Sequence, residues 1–237
     1  MSSFQDFSLA IGYRGDENGY RDQNLEWCLR WWSRHAPGVE LCIADSDPDQ
    51  PFNRSQARNR AVQESTKSYL LIADADSVVE PPALFLASRF ILEDDKRWIL
   101  PYETYYNLEE EFSSSVWVRG EALLNDDVKY EHKIPSPISP PAVSGLLVMS
   151  RRVFDEAGGY DERFMGWGWE DNAFALALTA LGGPLLRLPG NCYHLWHPAL
   201  TDTTFGGPHA EANRVLVDRY QRARMNSDKM RELVKGV

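Results

Sequence analysis

The sequence predicts an α/β fold: a single domain with a mostly parallel central sheet flanked by helices. Two observations predict it. Short apolar runs alternate with helical spacings through the first hundred residues, the pattern of strand–helix–strand units. The chain has 237 residues, 43% of them hydrophobic and 25% charged, enough to bury one full core. The first strand is expected at Phe7–Gly12, followed by a helix with Leu25, Cys28, Leu29 and Trp32 on one face and a strand at Glu40–Ala44. An Ala/Arg-rich helix over residues 55–67 leads to the apolar strand Tyr69–Ala73, and the Pro81-Pro82 pair opens a helix reaching about residue 92.

Residues 135–141, Pro-Ser-Pro-Ile-Ser-Pro-Pro, read as a loop. An apolar strand follows at 143–150, then a short helix that stops at Gly158-Gly159. Ala173, Leu176, Ala177, Ala180 and Leu181 recur at i, i+3, i+4, i+7 and i+8, a core-facing helix stripe ended by Gly182-Gly183. A last strand is expected over 185–196, then a Gly/Pro/Thr-rich loop and a polar helix from about Pro208.

Lys plus Arg number 25 against 35 Asp plus Glu, a net charge of −10. Such a chain lacks the basic surface with which proteins hold nucleic-acid backbones, so no nucleic-acid partner is expected. The longest apolar runs fall far short of the ~20 residues a membrane helix needs, so no span is expected. The start of the chain lacks the basic-then-apolar order of a signal peptide. Cys28, Cys42 and Cys192 are odd in number and show no paired spacing, so a cytoplasmic location is the expectation.

Four segments carry chemistry. Asp74-Ala-Asp76 directly follows an apolar strand, and in open α/β sheets ligands sit beyond the carboxyl ends of strands. If the strand continues, both carboxylates share a face and could hold a divalent cation. Alternatively they cap a turn. His194 and His197 end a late strand; imidazole plus carboxylate suits Mn²⁺ or a similar cation, while a structural pair is the plainer reading. In Gly166-Trp167-Gly168-Trp169-Glu170-Asp171 the acids fall in the first turn of a helix, where the backbone dipole favours ionised carboxylates. They are either an acidic cap or a proton acceptor. The tryptophans offer faces for a sugar ring, and the glycines permit movement. Last, Arg54, Arg58 and Arg60 lie at a helix start, where phosphate is attracted, or else form a solvated face.

Taken together and in order, these segments resemble the metal-dependent GT-A glycosyltransferases, the β1,4-galactosyltransferase and chondroitin-synthase-like group above all. Ile11-Gly12-Tyr13-Arg14 is similar to that group's first-strand segment, with Gly12 in place of a proline. Phe52-Asn53-Arg54 repeats its Phe-Asn-Arg element, Asp74-Ala-Asp76 its Asp-x-Asp motif, and 166–171 its Trp-Gly-x-Glu-Asp signature. The resemblance implies a GT-A nucleotide-sugar-binding fold. Residues 1–100 would be the nucleotide-binding half, 101–207 the acceptor-binding and catalytic half, and 208–237 a C-terminal helix.

By the same resemblance, Tyr13, Arg14, Asp45, Phe52, Asn53, Arg54, Arg58 and Asp74 would lie around the nucleotide, with Trp167 covering the donor. Asp76, His194 and His197 would bind Mn²⁺, His194 standing where the galactosyltransferases place a methionine. Asp171 would be the catalytic base, and Glu170, Trp169 and Gly145 would meet the acceptor. The implied activity is inverting transfer of a hexose or N-acetylhexosamine from a UDP-sugar to a glycan-type hydroxyl. A degenerate nucleotide- or glycan-binding protein on the same fold is the alternative. The membrane anchor and disulfides of the galactosyltransferases are not found in this sequence, which points to a bacterial or phage enzyme. A nucleotidyltransferase would need a Gly- and Lys-containing phosphate loop after the first strand, whereas the first lysine is Lys67.

Overall fold

Two sheets share the work of building the molecule, described here by a computed structural model that covers residues 4–125, 127–135, 143–166, 168–198 and 207–236. Strands β1 (Phe7–Gly12), β2 (Glu40–Ala44) and β3 (Tyr69–Ala73) alternate with helices α1 (Tyr20–His35) and α2 (Arg54–Glu64), as the sequence predicts. β1 lies between β2 and β3, parallel to both. Their carboxyl ends therefore open on one edge, where Tyr13, Asp45 and Asp74 emerge.

The next elements are β4 (Ser77–Val79), α3 (Pro81–Glu93), β5 (Trp98–Leu100), β6 (Thr104–Leu108), α4 (Glu110–Arg119) and β7 (Tyr130–Pro135). They are followed by β8 (Leu146–Ser150), α5 (Arg151–Glu156), α6 (Glu170–Ala177), β9 (Leu185–Arg187), β10 (Asn191–His194), α7 (Ala210–Ala223) and α8 (Ser227–Val234). The first sheet runs β2-β1-β3-β8-β5-β9, with β8 alone antiparallel to its neighbours; the second runs β4-β10-β6-β7. Because β8 is antiparallel to β3, with Ala73 opposite Leu146, its start falls on the same edge as the end of β3.

Local chemistry explains most boundaries. The Asn53 side chain accepts from Gln56 N at 3.0 Å and caps α2, and Pro81 and Pro82 open α3. The core is lined by Trp27, Trp31 and Trp32 of α1, by both faces of β1 and β3, and by all of β8. The buried face of α1 is thus rotated from the expected one: Cys28 and Trp32 are buried as expected, but Leu25 and Leu29 are only partly so.

Four expectations are corrected. The single strand of 185–196 is two strands in different sheets, because Pro189 has no N–H to pair and Gly190 adopts φ 141°, turning the chain from one sheet to the other. The stripe at 173–181 does not stay on one α-helical face: α6 ends in a π turn at Leu178–Gly182, so Phe174 and Leu178 are buried while Ala180 and Leu181 are only partly so. The polar C-terminal helix is two, the second capped by Asn226, which accepts from Lys229 N at 3.0 Å. Finally, the second sheet was not foreseen. The expected loop at 135–141 lies, after Pro135, outside the described residues.

Candidate active site

The end of β3 supplies the first two side chains, and the turn there sends them apart. Residues 74–76 do not continue the strand, so Asp74 and Asp76 do not share a face as the alternation of a strand would require. Asp76 faces the second sheet. Antiparallel pairing sets His194 opposite Ser77, and Leu195 N donates to Asp76 O at 2.8 Å, which delivers both histidines to the carboxylate. His194 Nε2 lies 3.4 Å from Asp76 Oδ1 and His197 Nε2 3.3 Å from Oδ2. One ligand atom from each residue falls within 4.8 Å of the others.

This donor set fits a divalent cation. One carboxylate and two imidazoles are the mixture that suits Mn²⁺ and related metals. His197 Nδ1 is 3.0 Å from Pro198 O and 3.2 Å from Arg21 Nη2, contacts that hold the ring from the side opposite Nε2. Burial disfavours the Asp76 carboxylate, but His194 and His197 outweigh it and hold the carboxyl well below its usual range. Burial likewise pulls the His194 imidazole down, and the facing Asp76 more than restores it, raising its pKa. Arg21 sets its guanidinium 3.2 Å from His197 Nδ1, a cation beside this cluster that the sequence reading missed.

Asp74 turns the other way. Its Oδ2 accepts from Gly145 N at 3.0 Å and its Oδ1 from Arg58 Nη2 at 2.6 Å. Gly145, expected against the acceptor, is buried and closely packed: a Cβ there would meet Cys192 Sγ at 2.7 Å and Tyr105 Cε2 at 2.9 Å. Arg58, expected at the nucleotide, is also buried, its Nη1 2.9 Å from Asp171 Oδ1 and its guanidinium 4.9 Å above the Tyr160 ring. Arg54 Nε approaches Glu170 Oε1 at 3.2 Å, an oxygen that is buried without a hydrogen-bond partner among the described residues.

Burial pushes the Asp171 carboxyl up to about 7; Arg58 opposes that rise, and Glu170 and Asp74 add to it. The sequence argument from the helix dipole, which favours an ionised acid, is therefore overridden by desolvation among like charges. Trp169 caps α6 with φ 77°, the single positive φ of a non-glycine among the described residues. Backbone strain of this kind persists only where the surroundings hold it. Trp167 lies outside the described residues.

Around the first strand, Arg14 Nε donates to both Asp45 oxygens at 2.9 Å, and its other nitrogens reach Gln50 O and Asp47 O at 2.9 Å. The same guanidinium stands 5.4 Å from the Phe52 ring centroid. Tyr13 donates to Asp22. Asn53, expected against the nucleotide, is buried and occupied: besides its cap, Nδ2 donates to Glu162 O at 2.8 Å. Asn59, which the sequence reading did not single out, ties Tyr160 through both its N–H and its carbonyl, at 2.9 and 2.8 Å. The arginine-rich helix α2 is thus the platform on which the 160–165 segment rests.

A family model described as the N-terminal domain of galactosyltransferase matches residues 129–198. A probable N-acetylgalactosaminyltransferase 9 of Caenorhabditis elegans is 33% identical over 87 residues, 36% of this chain and 15% of that protein. A probable polypeptide N-acetylgalactosaminyltransferase 8 of Homo sapiens is 24% identical over 191 residues, 76% of this chain and 29% of that one. The chain thus spans less than a third of the length of either relative. Among solved structures, the Drosophila β1,4-galactosyltransferase 7 in complex with manganese, UDP-Gal and xylobiose superposes with a TM-score of 0.53 at 17% identity, covering 88% of this chain and 79% of that one. The catalytic domain of that enzyme with xylobiose gives a TM-score of 0.52 at 17% identity over the same shares. All of these relatives are animal proteins, which lends no support to the expected bacterial or phage source. The chain has the GT-A fold and, in its motifs as in the segment 129–198 that carries Gly145, Glu170, Asp171, His194 and His197, it resembles the metal-dependent GT-A glycosyltransferases.

Proposed function

We propose that the protein is an inverting glycosyltransferase that moves a hexose or N-acetylhexosamine from a UDP-sugar to a hydroxyl of a glycan-type acceptor, with Mn²⁺ or another divalent cation as cofactor. One observation carries this reading. A cluster at Asp76 that could hold a cation and a partly buried acid at Asp171, its carboxyl pushed up to about 7, lie at the end of β3, where Arg58 links Asp171 to Asp74. The manganese, UDP-Gal and xylobiose bound in the Drosophila neighbour support the same chemistry.

In this reading Asp76, His194 and His197 hold the cation, which when bound supplies positive charge against the leaving diphosphate. Asp171 is the base. Arg58 occupies its Oδ1, leaving Oδ2 without a partner among the described residues and so available for the proton of the attacking hydroxyl. Glu170 and Trp169 orient the acceptor. Arg14, Asp45 and Phe52, already packed on one another, form the wall for the uridine, and Arg54 lies toward the diphosphate. Asp74 positions Arg58 and contributes no ligand to the cation. A cytoplasmic setting belongs to the same reading, supported by the unpaired state of Cys28, Cys42 and Cys192.

The test is UDP release from a panel of UDP-sugars, each incubated with Mn²⁺ or with a chelator. Metal-dependent release from one or two donors is the expected result, and it names the sugar. Absence of release with UDP still binding would favour the degenerate binding protein, and absence of UDP binding would remove the uridine assignment built on Phe52 and Arg54.

A further inference from the structure

We infer that Asn213, on α7 and beyond every motif that marks the site, is a positioning residue for the catalytic segment. Its carboxamide ties Met165 to Gly168 and thereby fixes the direction in which Trp169, Glu170 and Asp171 leave the loop. The inference rests on the transferase reading above.

Asn213 is 2% exposed. Its Oδ1 accepts from Met165 N at 3.3 Å, and its Nδ2 donates to Met165 O at 2.8 Å and to Gly168 O at 3.3 Å. A carboxamide offers one carbonyl and two N–H donors, and among the described residues both its ends meet main-chain groups of one short segment. Both polar groups of Met165 are answered by one side chain, as a neighbouring strand would answer them. Such bonds hold firmly in a buried site, because losing the side chain leaves main-chain groups desolvated and unmet.

The next residue after Gly168 is Trp169, at φ 77°, and after it come the two acids. A strained residue keeps its conformation only when the surroundings over-determine it. α2 supports the segment from one side, with Asn53 Nδ2 3.3 Å from Met165 Sδ; α7, which packs on α6, supports it from the other. Tyr220, seven residues further along α7, donates instead to Asp161 Oδ2 at 2.9 Å and makes no hydrogen bond to Met165 or Gly168 among the described residues. The two contacts of α7 with this segment can therefore be separated by mutation.

The experiment uses the whole chain with Mn²⁺, UDP and the donor found active. Asn213→Ala is expected to lower kcat about 10²-fold, the scale of an ångström's misplacement, while the UDP dissociation constant in Mn²⁺ stays within about twofold. Hydrogen exchange at the amides of Met165, Gly168 and Trp169 is expected to rise. Tyr220→Phe, which releases the other tie, keeps kcat near the parent value. If Asn213→Ala gives no folded protein, Asn213→Ser is read in the same way. Unchanged kcat in a folded variant overturns the proposal, as does a parallel loss of UDP binding and transfer, or failure of both variants to fold. Should the parent protein neither bind nor release UDP, the transferase reading fails, and hydrogen exchange alone then decides whether Asn213 holds the segment.

Discussion

The Arg58 guanidinium reaches Asp171 across 113 residues of sequence, Nη1 to Oδ1 at 2.9 Å, while its other nitrogen holds Asp74 at 2.6 Å. One buried cation thus lies between an acid at the end of β3 and an acid at the start of α6. Burial opposes the charged guanidinium, but Asp171 and Asp74 outweigh that and keep it protonated. The pairing works in both directions: Arg58 limits how far burial can raise the pKa of Asp171.

Replacing that cation has a definite sign. Arg58→Met removes the charge that favours ionised Asp171 and leaves Asp74 and Glu170 beside it, so the pKa rises further from about 7. With Asp171 as the proposed base, the rate requires its deprotonated form, so the acid limb of the kcat–pH profile is expected to move to higher pH, by ~1–3 units. Arg58→Lys, which keeps the charge, moves it less. A limb that stays in place in Arg58→Met would show that another group titrates.

Asp171→Asn keeps the shape of the side chain and removes the proton acceptor. Turnover is expected to fall ~10²- to 10⁴-fold, the usual contribution of a general base. UDP binding in Mn²⁺ is expected to persist, since the proposed cation cluster is on Asp76. Near-parent turnover would transfer the role to Glu170, its neighbour in the first turn of α6.

Metal binding is expected to weaken as pH falls. A protonated imidazole cannot ligate, and His194 has its pKa raised by Asp76 once burial is overcome. Loading the cation then displaces a proton, so calorimetry in buffers of different ionisation enthalpy should show proton release that grows as pH falls. Asp76→Ala is expected to abolish Mn²⁺-dependent UDP binding. Unaltered binding in that variant would take the metal away from this cluster.

Gly145→Ala tests the joint between the two sheets. At φ 82° an added Cβ is strained, and it would lie 2.7 Å from Cys192 Sγ and 2.9 Å from Tyr105 Cε2. Overpacking of this kind costs ~1–3 kcal/mol and should lower Tm accordingly. Because Gly145 N also holds Asp74, transfer should fall more than stability alone accounts for. A parent-like Tm would mean that Cys192 and Tyr105 yield freely.

Much of the first sheet was legible because its signals are local. The runs at Phe7–Gly12, Glu40–Ala44 and Tyr69–Ala73 are short, apolar and bounded, and each forms the expected strand. The second sheet gave no such signal. β4, β6 and β10 are 3, 5 and 4 residues long, and their pairing is set by contacts as distant as His194 with Ser77. Pro189-Gly190, inside what reads as one strand, is the visible mark of the crossing between sheets.

The site divides in the same way. Asp76, His194, His197, Glu170 and Asp171 stood out in the sequence because their side chains carry chemistry at motif spacings. What each neighbours did not. That Asp74 is held by Arg58 and Gly145 N follows from the turn at 74–76, and that Asn53 is a helix cap follows from where α2 begins. Arg21 and Asn213 carry no motif and were found only by position.

The sequence by itself determined the fold class, the order of its strands and helices along the first half, and the residues able to bind a cation or take a proton, because residue type and short-range periodicity are properties of the chain. Only the tertiary structure decided which acid faces the histidines, which is held by Arg58, and that burial rather than the helix dipole governs Asp171. Those outcomes depend on desolvation and on charges within a few ångströms, and such distances exist only once β8 has paired with β3, β10 with β4, and α7 has packed on α6.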